Sequence, residues 1–241
     1  MSRKEWTNEK IFERLLTNRT KRTYWENIRE LRKRPEQGVF NKAVELIKTN
    51  SEKEMIIGID ILAQLGFNPR YNQKETIELC FQLLAMEQSP KTLQSILYAI
   101  SHNNEILNED QILLLKKFKA HTYCNVRFAL VQALSGIENE NAIDTLIELS
   151  IDKDSDVRDW VVFSLGTQIE TDNETIRKIL WERISDKSEL VKFEALAGLA
   201  KRKDEKIKDF LIKELERIDD NGTIILESIL DFIDFDFIEL L

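Results

Sequence analysis

The chain has 241 residues, 42% apolar and 32% charged, with seven Gly and three Pro, a balance that excludes a turn-rich sheet protein and points to helices with large solvated faces. Its net charge of −8 argues against a general nucleic-acid binder, which needs clustered Lys and Arg to neutralise phosphates. No stretch approaches the roughly 20 apolar residues of a membrane span, and the opening MSRKEWTNEK lacks the apolar core of a signal peptide, so the expectation is a cytoplasmic protein whose two cysteines, Cys80 and Cys124, stay reduced and packed.

Residues 1–35 carry 11 Lys/Arg against 5 Asp/Glu, which reads either as solvated helix faces or as a basic docking patch. Helical spacing over Glu9–Leu16 and Tyr24–Lys33 predicts two capping helices bearing Trp6 and Trp25. From residue 36 the pattern becomes periodic. Ile57–Leu65 (IGIDILAQL) and Thr92–Ile100 (TLQSILYAI) align with Val126–Leu134 (VRFALVQAL), Val157–Leu165 (VVFSL at its end) and Val191–Leu199 (VKFEALAGL), and a degenerate copy follows at Ile224–Phe232. The first five copies end at residues 65, 100, 134, 165 and 199, a spacing that marks a solenoid.

Numbering the first residue of each copy zero, positions 0, 4, 5 and 8 are apolar in 19 of 20 places, Thr92 being the exception. Composition alone gives about eight, so each copy is an amphipathic helix burying one face. A helix precedes each: Val39–Lys48, Lys74–Met86, Asp110–Phe118, Ala142–Leu149, Thr175–Glu182 and Lys206–Leu215. Polar turns join the partners, with Asn50, Ser89, Asp154 and Ser185 as cap or turn residues. Position 7 holds Gln64, Ala99, Ala133, Ser164 and Gly198, four of five small, which lets a second helix approach closely. The predicted fold is all-α: an α-solenoid of stacked antiparallel helix pairs spanning 1–241 as a single domain. Residues 1–35 cap it, 36–203 form five repeats, and 204–241 form a degenerate repeat with an acidic, apolar tail.

The D-x-x-x-x-V-R of IDKDSDVR, the D-x-x-x-x-V-K of SDKSELVK and the endings FSLG and AGLA resemble the HEAT-repeat family, in its short form named for the phycobilisome lyases and shared by bacterial HEAT-repeat domain proteins. The resemblance covers about 36–232 and is strong from 125 to 203; the first two copies lack the acid–base pair and rest on periodicity. It implies that the acid–base residues tie a turn to the second helix and that the second helices line an inner, concave surface.

Position 1, in the middle of the buried arc, holds Arg127, Arg158 and Lys192. A cation there needs a partner, and Asp152 and Asp186 each precede one by six residues, predicting structural ion pairs Asp152–Arg158 and Asp186–Lys192. Positions 2, 3 and 6 face away from the core. They place Tyr98, Phe128, Asp159, Trp160, Phe163, Phe193 and Glu194 on the inner face as candidate partner-binding residues, since exposed aromatics in a polar surround supply binding energy. For Phe128 and Phe193 a second reading, packing between neighbouring repeats, stays open.

No catalytic constellation emerges. Asp152, Asp154 and Asp156 are not a calcium loop, because Val157 and Phe163 stand where Gly and Glu are required. His121 and Cys124 form an H-x-x-C with no second ligand pair, so no metal or cofactor is expected, and a turn with a helix cap accounts for that segment. The leading expectation is therefore a non-catalytic protein-binding scaffold or adaptor with a protein partner. Two alternatives come from the resemblance: a DNA-glycosylase-like enzyme using Trp160 with Asp159 or Glu194, and a bilin lyase subunit. The tail ILDFIDFDFIELL either folds back over the last repeat or docks on a partner such as a second copy, giving a homodimer.

Overall fold

A computed structural model of the chain describes residues 2–215 together with 227, 228 and 230. The degenerate copy at Ile224–Phe232 and the tail, with its expected dimer contact, therefore lie outside the described residues but for those three. Every regular element among the described residues is helical, and they are paired as a repeat solenoid.

Contacts divide the chain into two compact units, Met1–Gln111 and Ile112–Leu241. The first contains α1 (Asn8–Leu16), α2 (Lys21–Arg32), α3 (Gln37–Ile47), α4 (Glu52–Leu62), α5 (Gln73–Leu84) and α6 (Pro90–Ser101). The division falls within α7 (Glu109–Leu115), which continues as a 3-10 turn at Lys116–Ala120. The second unit goes on with α8 (Cys124–Leu134), α9 (Glu140–Leu149), α10 (Ser155–Phe163), α11 (Glu174–Arg183), α12 (Glu189–Lys201) and α13 (Lys208–Leu215).

Local chemistry sets these boundaries. Thr7, Thr20, Ser51, Ser89, Asn139 and Asn173 each accept a backbone N–H from the first turn of the helix they precede, satisfying donors that have no intrahelical partner. Asp154 caps α10 by accepting from the backbone N–H of Asp156 and of Val157. Pro90 opens α6, where its missing N–H costs nothing. The cap before α4 is Ser51 rather than Asn50, and Ser188, not Ser185, stands at the start of α12.

All 20 residues at positions 0, 4, 5 and 8 are buried, including Thr92, whose backbone N–H is held by the Ser89 hydroxyl. Within the first unit α4 packs on α3, α2 and α6; within the second α10 lies between α8 and α12. Two glycines permit the closest approaches. A Cβ on Gly58 would fall 2.4 Å from the Ala43 carbonyl oxygen, so α3 needs this position bare. A Cβ on Gly198 would fall 2.6 Å from Gly166 Cα and 3.2 Å from the Leu180 side chain. The small residue expected to admit the partner helix thus also admits the equivalent helix of the preceding repeat.

α10 ends in a π-helical segment, Ser164–Gln168. Such a segment shifts carbonyls out of the α-helical register, and buried carbonyls need donors. The end of α12 supplies them. Arg202 donates to the carbonyls of Leu165 (2.6 Å), Gly166 and Thr171 (3.1 Å), and Lys201 donates to that of Thr167 (2.8 Å). In the first unit the buried Asn103 amide does similar work after α6, donating to the carbonyls of Ala63 (3.0 Å) and Ala99 (2.7 Å).

Candidate functional site

The second helices of the second unit bring together most of the residues expected to bind a partner. Phe128 on α8, Trp160 and Phe163 on α10, and Asp159 and Glu194 are all half-buried. Phe128 meets Trp160 edge-on, ring centroids 5.8 Å apart and planes at 80°, and Trp160 meets Phe163 at 5.4 Å and 82°. Both are the T-shaped arrangement that aromatic quadrupoles favour. Packing between repeats and presentation on the face are therefore combined in one aromatic row.

Two carboxylates flank this row. Asp159 Oδ1 is buried with no hydrogen-bond partner among the described residues, and burial, assisted by the Asp156 charge, pushes its pKa up to about 6. Glu194 is pushed up to about 7, by burial first and then by the charges of Asp159 and Glu227. Like charges in a partly desolvated place make the ionised pair costly and give it a standing preference for a cation.

Two candidates lie elsewhere. Phe193 is 3% exposed and so has no free surface to offer. Ile59, at the same position 2 of α4, is 1% exposed, whereas Phe128 and Asp159 at that position are half-buried. Tyr98 is half-buried on α6, in the first unit, where the Gln94 side-chain amide approaches its hydroxyl at 3.5 Å.

The expected pairing of acids and bases is corrected by the structure. Arg158 does not pair with the Asp152 carboxylate. Its Nε and Nη2 donate to Asp186 at 2.9 and 2.8 Å, and its Nη1 donates to the Asp152 backbone carbonyl at 2.8 Å. The Asp152 carboxylate instead accepts from Arg127 Nε and Nη2 at 2.6 and 2.8 Å. Lys192 pairs with Glu214, not with Asp186. Each second-helix cation thus holds its own turn through a backbone carbonyl or reaches forward to an acid of the next repeat. The reason is geometric: the turn's carbonyl already takes the inward N–H, leaving the turn's carboxylate facing the preceding repeat. Burial opposes the charges of Asp152 and Asp186, but the hydrogen bonds from Arg127 and Arg158 outweigh it and hold both carboxyls below their ordinary range.

Cys80 is buried, which pushes its thiol up to about 12; His121 Nδ1 accepts the Tyr123 backbone N–H (3.2 Å) and its carbonyl accepts from Arg127 (2.7 Å), a turn at the head of α8. Among the described residues no group of three or more His, Cys, Asp or Glu could hold a metal ion, and no helix is long and apolar enough to cross a membrane.

The sequence pattern did not reveal a polar cluster in the first unit. The Tyr24 hydroxyl donates to Asp60 Oδ2 at 2.6 Å, the Ser95 hydroxyl donates to Asp60 Oδ1 at 2.5 Å, and Arg32 donates twice to the Asp60 carbonyl, at 2.9 and 2.6 Å. Asp60 stands at position 3 of its copy, the only signal that marked it. Burial raises its pKa above the ordinary value, although the Ser95 and Tyr24 hydrogen bonds oppose this.

The helix pairs, their register and their buried arcs define an α-solenoid, and residues 111–200 match the family model described as HEAT repeats. Along most of its length the chain is similar to protein YibA of Escherichia coli (strain K12), 28% identical over 227 residues, covering 89% of this chain and 76% of YibA. The X-ray structure of E. coli YibA superposes with a TM-score of 0.70 at 23% identity, covering 95% of this chain and 93% of that one. A designed armadillo repeat protein, solved in complex with the peptide (KR)4, superposes with a TM-score of 0.55 at 16% identity, covering 80% of this chain and 98% of that one.

Proposed function

We propose that the protein is a non-catalytic, cytoplasmic scaffold or adaptor that docks a segment of a protein partner on the α8–α10–α12 face. The partner presents a Lys or Arg side chain to Asp159 and Glu194, and an apolar or aliphatic side chain to Trp160 and Phe163. The observation that carries this reading is the juxtaposition of a half-buried aromatic row with Asp159, whose buried Oδ1 has no hydrogen-bond partner among the described residues, and with Glu194 beside it on α12. Aromatic rings beside carboxylates suit a long cationic side chain, because its stem packs on the rings while its head meets the acids. The designed armadillo neighbour, whose ligand is a Lys/Arg peptide, supports the same class of ligand by analogy of fold.

Residues 112–241 hold 18 Lys/Arg against 27 Asp/Glu, which disfavours the nucleic-acid enzyme on this face. A labelled peptide of alternating Lys and Arg, titrated with the protein and followed by fluorescence anisotropy, tests the reading. Binding is expected in the micromolar range and is expected to drop about tenfold, roughly 1.4 kcal/mol, in Asp159→Asn/Glu194→Gln. Trp160→Ala/Phe163→Ala should lose it likewise. Unchanged binding by both variants, with their helicity intact, sinks the site.

A further inference from the structure

We propose that the first unit carries a second, oppositely charged site: a cleft at the amino-terminal ends of α2, α4 and α6 that takes an acidic peptide segment bearing an aromatic side chain. The cleft, about 520 Å³, is lined by Arg19, Lys21, Lys53 and Lys91 around Trp25 and Tyr24. All four cations are exposed, and among the described residues none of them is in an ion pair. Lys53 donates only to the Leu16 carbonyl, at 2.5 Å.

The two acids of the lining are already engaged. Glu52 accepts from the Ser89 hydroxyl, and Asp60 accepts from Tyr24 and Ser95. Hydroxyl hydrogen bonds orient these carboxylates without cancelling their charge, so the four cations against two acids leave the lining with a net positive charge of two. Trp25 is 38% exposed, steadied by Tyr24 edge-on at 5.1 Å and by the Arg32 guanidinium 5.9 Å from its ring centroid. A fixed, exposed Trp in a basic surround is a platform for an apolar group of an anionic ligand.

The spacing of the cations argues for a peptide over a compact anion. They arise from successive side-by-side helices, and packed helix axes lie about 8–10 Å apart. A chain in the polyproline II conformation rises about 3.1 Å per residue with three residues per turn, so carboxylates three residues apart share one face and fall opposite consecutive helices, with the intervening side chains free to meet Trp25. A nucleic-acid strand is the less suitable occupant. Residues 1–111 hold 17 Lys/Arg against 16 Asp/Glu, a local site without the extended positive field that phosphate backbones require.

The test is fluorescence anisotropy with a labelled synthetic peptide carrying Asp at every third residue and Phe between. The full-length protein is expected to bind it, and Lys21→Glu/Lys53→Glu to weaken it about tenfold or more. Trp25→Ala should weaken it about fivefold. Lys33→Glu/Lys74→Glu makes the same charge change on exposed residues outside the cleft and should stay within about twofold of the parent. Equal losses in the cleft and control variants would reduce the effect to net charge and overturn the site. So would absence of binding, or a 12-nucleotide single strand binding more tightly than the peptide. Because the acidic peptide addresses residues different from Trp160 and Asp159, its failure leaves the cationic-peptide reading of the second unit standing, and the reverse.

Discussion

The Arg158 guanidinium forms a two-pronged ion pair with Asp186, a residue 28 positions away in the turn of the following repeat, while its third nitrogen holds the Asp152 carbonyl of its own turn. Arg127 repeats the arrangement one repeat earlier, with Asp152 as acceptor and the His121 carbonyl as the local anchor. The two pairs form a ladder that joins consecutive repeats of the second unit at the head of the second helices. Fork-to-carboxylate geometry makes each rung strong and directional.

Breaking one rung leaves a buried charge alone. Side-chain exposure is 14% for Arg158 and 4% for Asp186, so Arg158→Ala is expected to cost about 3 kcal/mol in urea unfolding. The double variant Arg158→Met/Asp186→Leu should recover part of that loss, since the pair's two charges leave together while Arg183 and the Ser188 N–H still lose Asp186 as a partner. A double variant as unstable as the sum of the singles would show that the pair is not coupled.

Acid should act on the two sets of carboxylates in opposite directions. Asp152 and Asp186 have folded pKa values below their ordinary ones, so the stability they contribute is present above the ordinary carboxylate range and is lost as pH falls through their folded values. Asp159 and Glu194 are raised, to about 6 and about 7. Their contribution is fully present below the unfolded carboxylate pKa and is lost as pH rises through 6 and 7. Glu194→Gln should therefore stabilise the protein at pH 8 by about 1 kcal/mol after allowance for solvent screening, and leave it nearly unchanged at pH 4. Thermal melts at the two pH values check the sign. Cationic-peptide binding should strengthen over the same rise, because only the ionised pair attracts the ligand.

The close approach of α12 to the end of α10 makes Gly198→Ala costly. Its new Cβ would stand 2.6 Å from Gly166 Cα, backbone that cannot rotate away, and overpacking of this kind costs about 1–3 kcal/mol. Gly38→Ala in α3 is the contrasting case, with nothing within 4 Å of the added carbon. There the lower chain entropy of Ala should stabilise by about 0.5 kcal/mol. Denaturant midpoints of the two variants should move in opposite directions.

Arg202 is expected to hold the π-helical segment in place. Arg202→Ala would leave the carbonyls of Leu165 and Gly166 without the donor they now share, a loss of about 2–3 kcal/mol where the carbonyls are buried and the donor is charged. Amide hydrogen exchange should rise first across residues 164–170. Protection there equal to the parent's would assign those carbonyls to other donors.

The sequence by itself determined the helices from α3 to α13, their pairing into repeats of about 34 residues, and the apolar arc that each second helix buries. These are local properties, since a helix repeats every 3.6 residues, and an apolar arc must be covered whatever covers it. The position-0, -4, -5 and -8 residues are buried in the first five copies for that reason. What tertiary structure decided is lateral: which residue of one repeat faces which of the next. Position 2 of one second helix meets position 3 of the following one, as Phe128 meets Trp160 and as Asp159 raises Glu194. That relation makes one row of Phe128, Trp160 and Phe163. It also turns Arg158 toward Asp186, because the offset between stacked helices is set by glycines such as Gly198 and by the turns, not by any spacing within a single copy. The cleft around Trp25 has the same origin, assembled from the heads of three helices that are far apart along the chain and adjacent only once stacked.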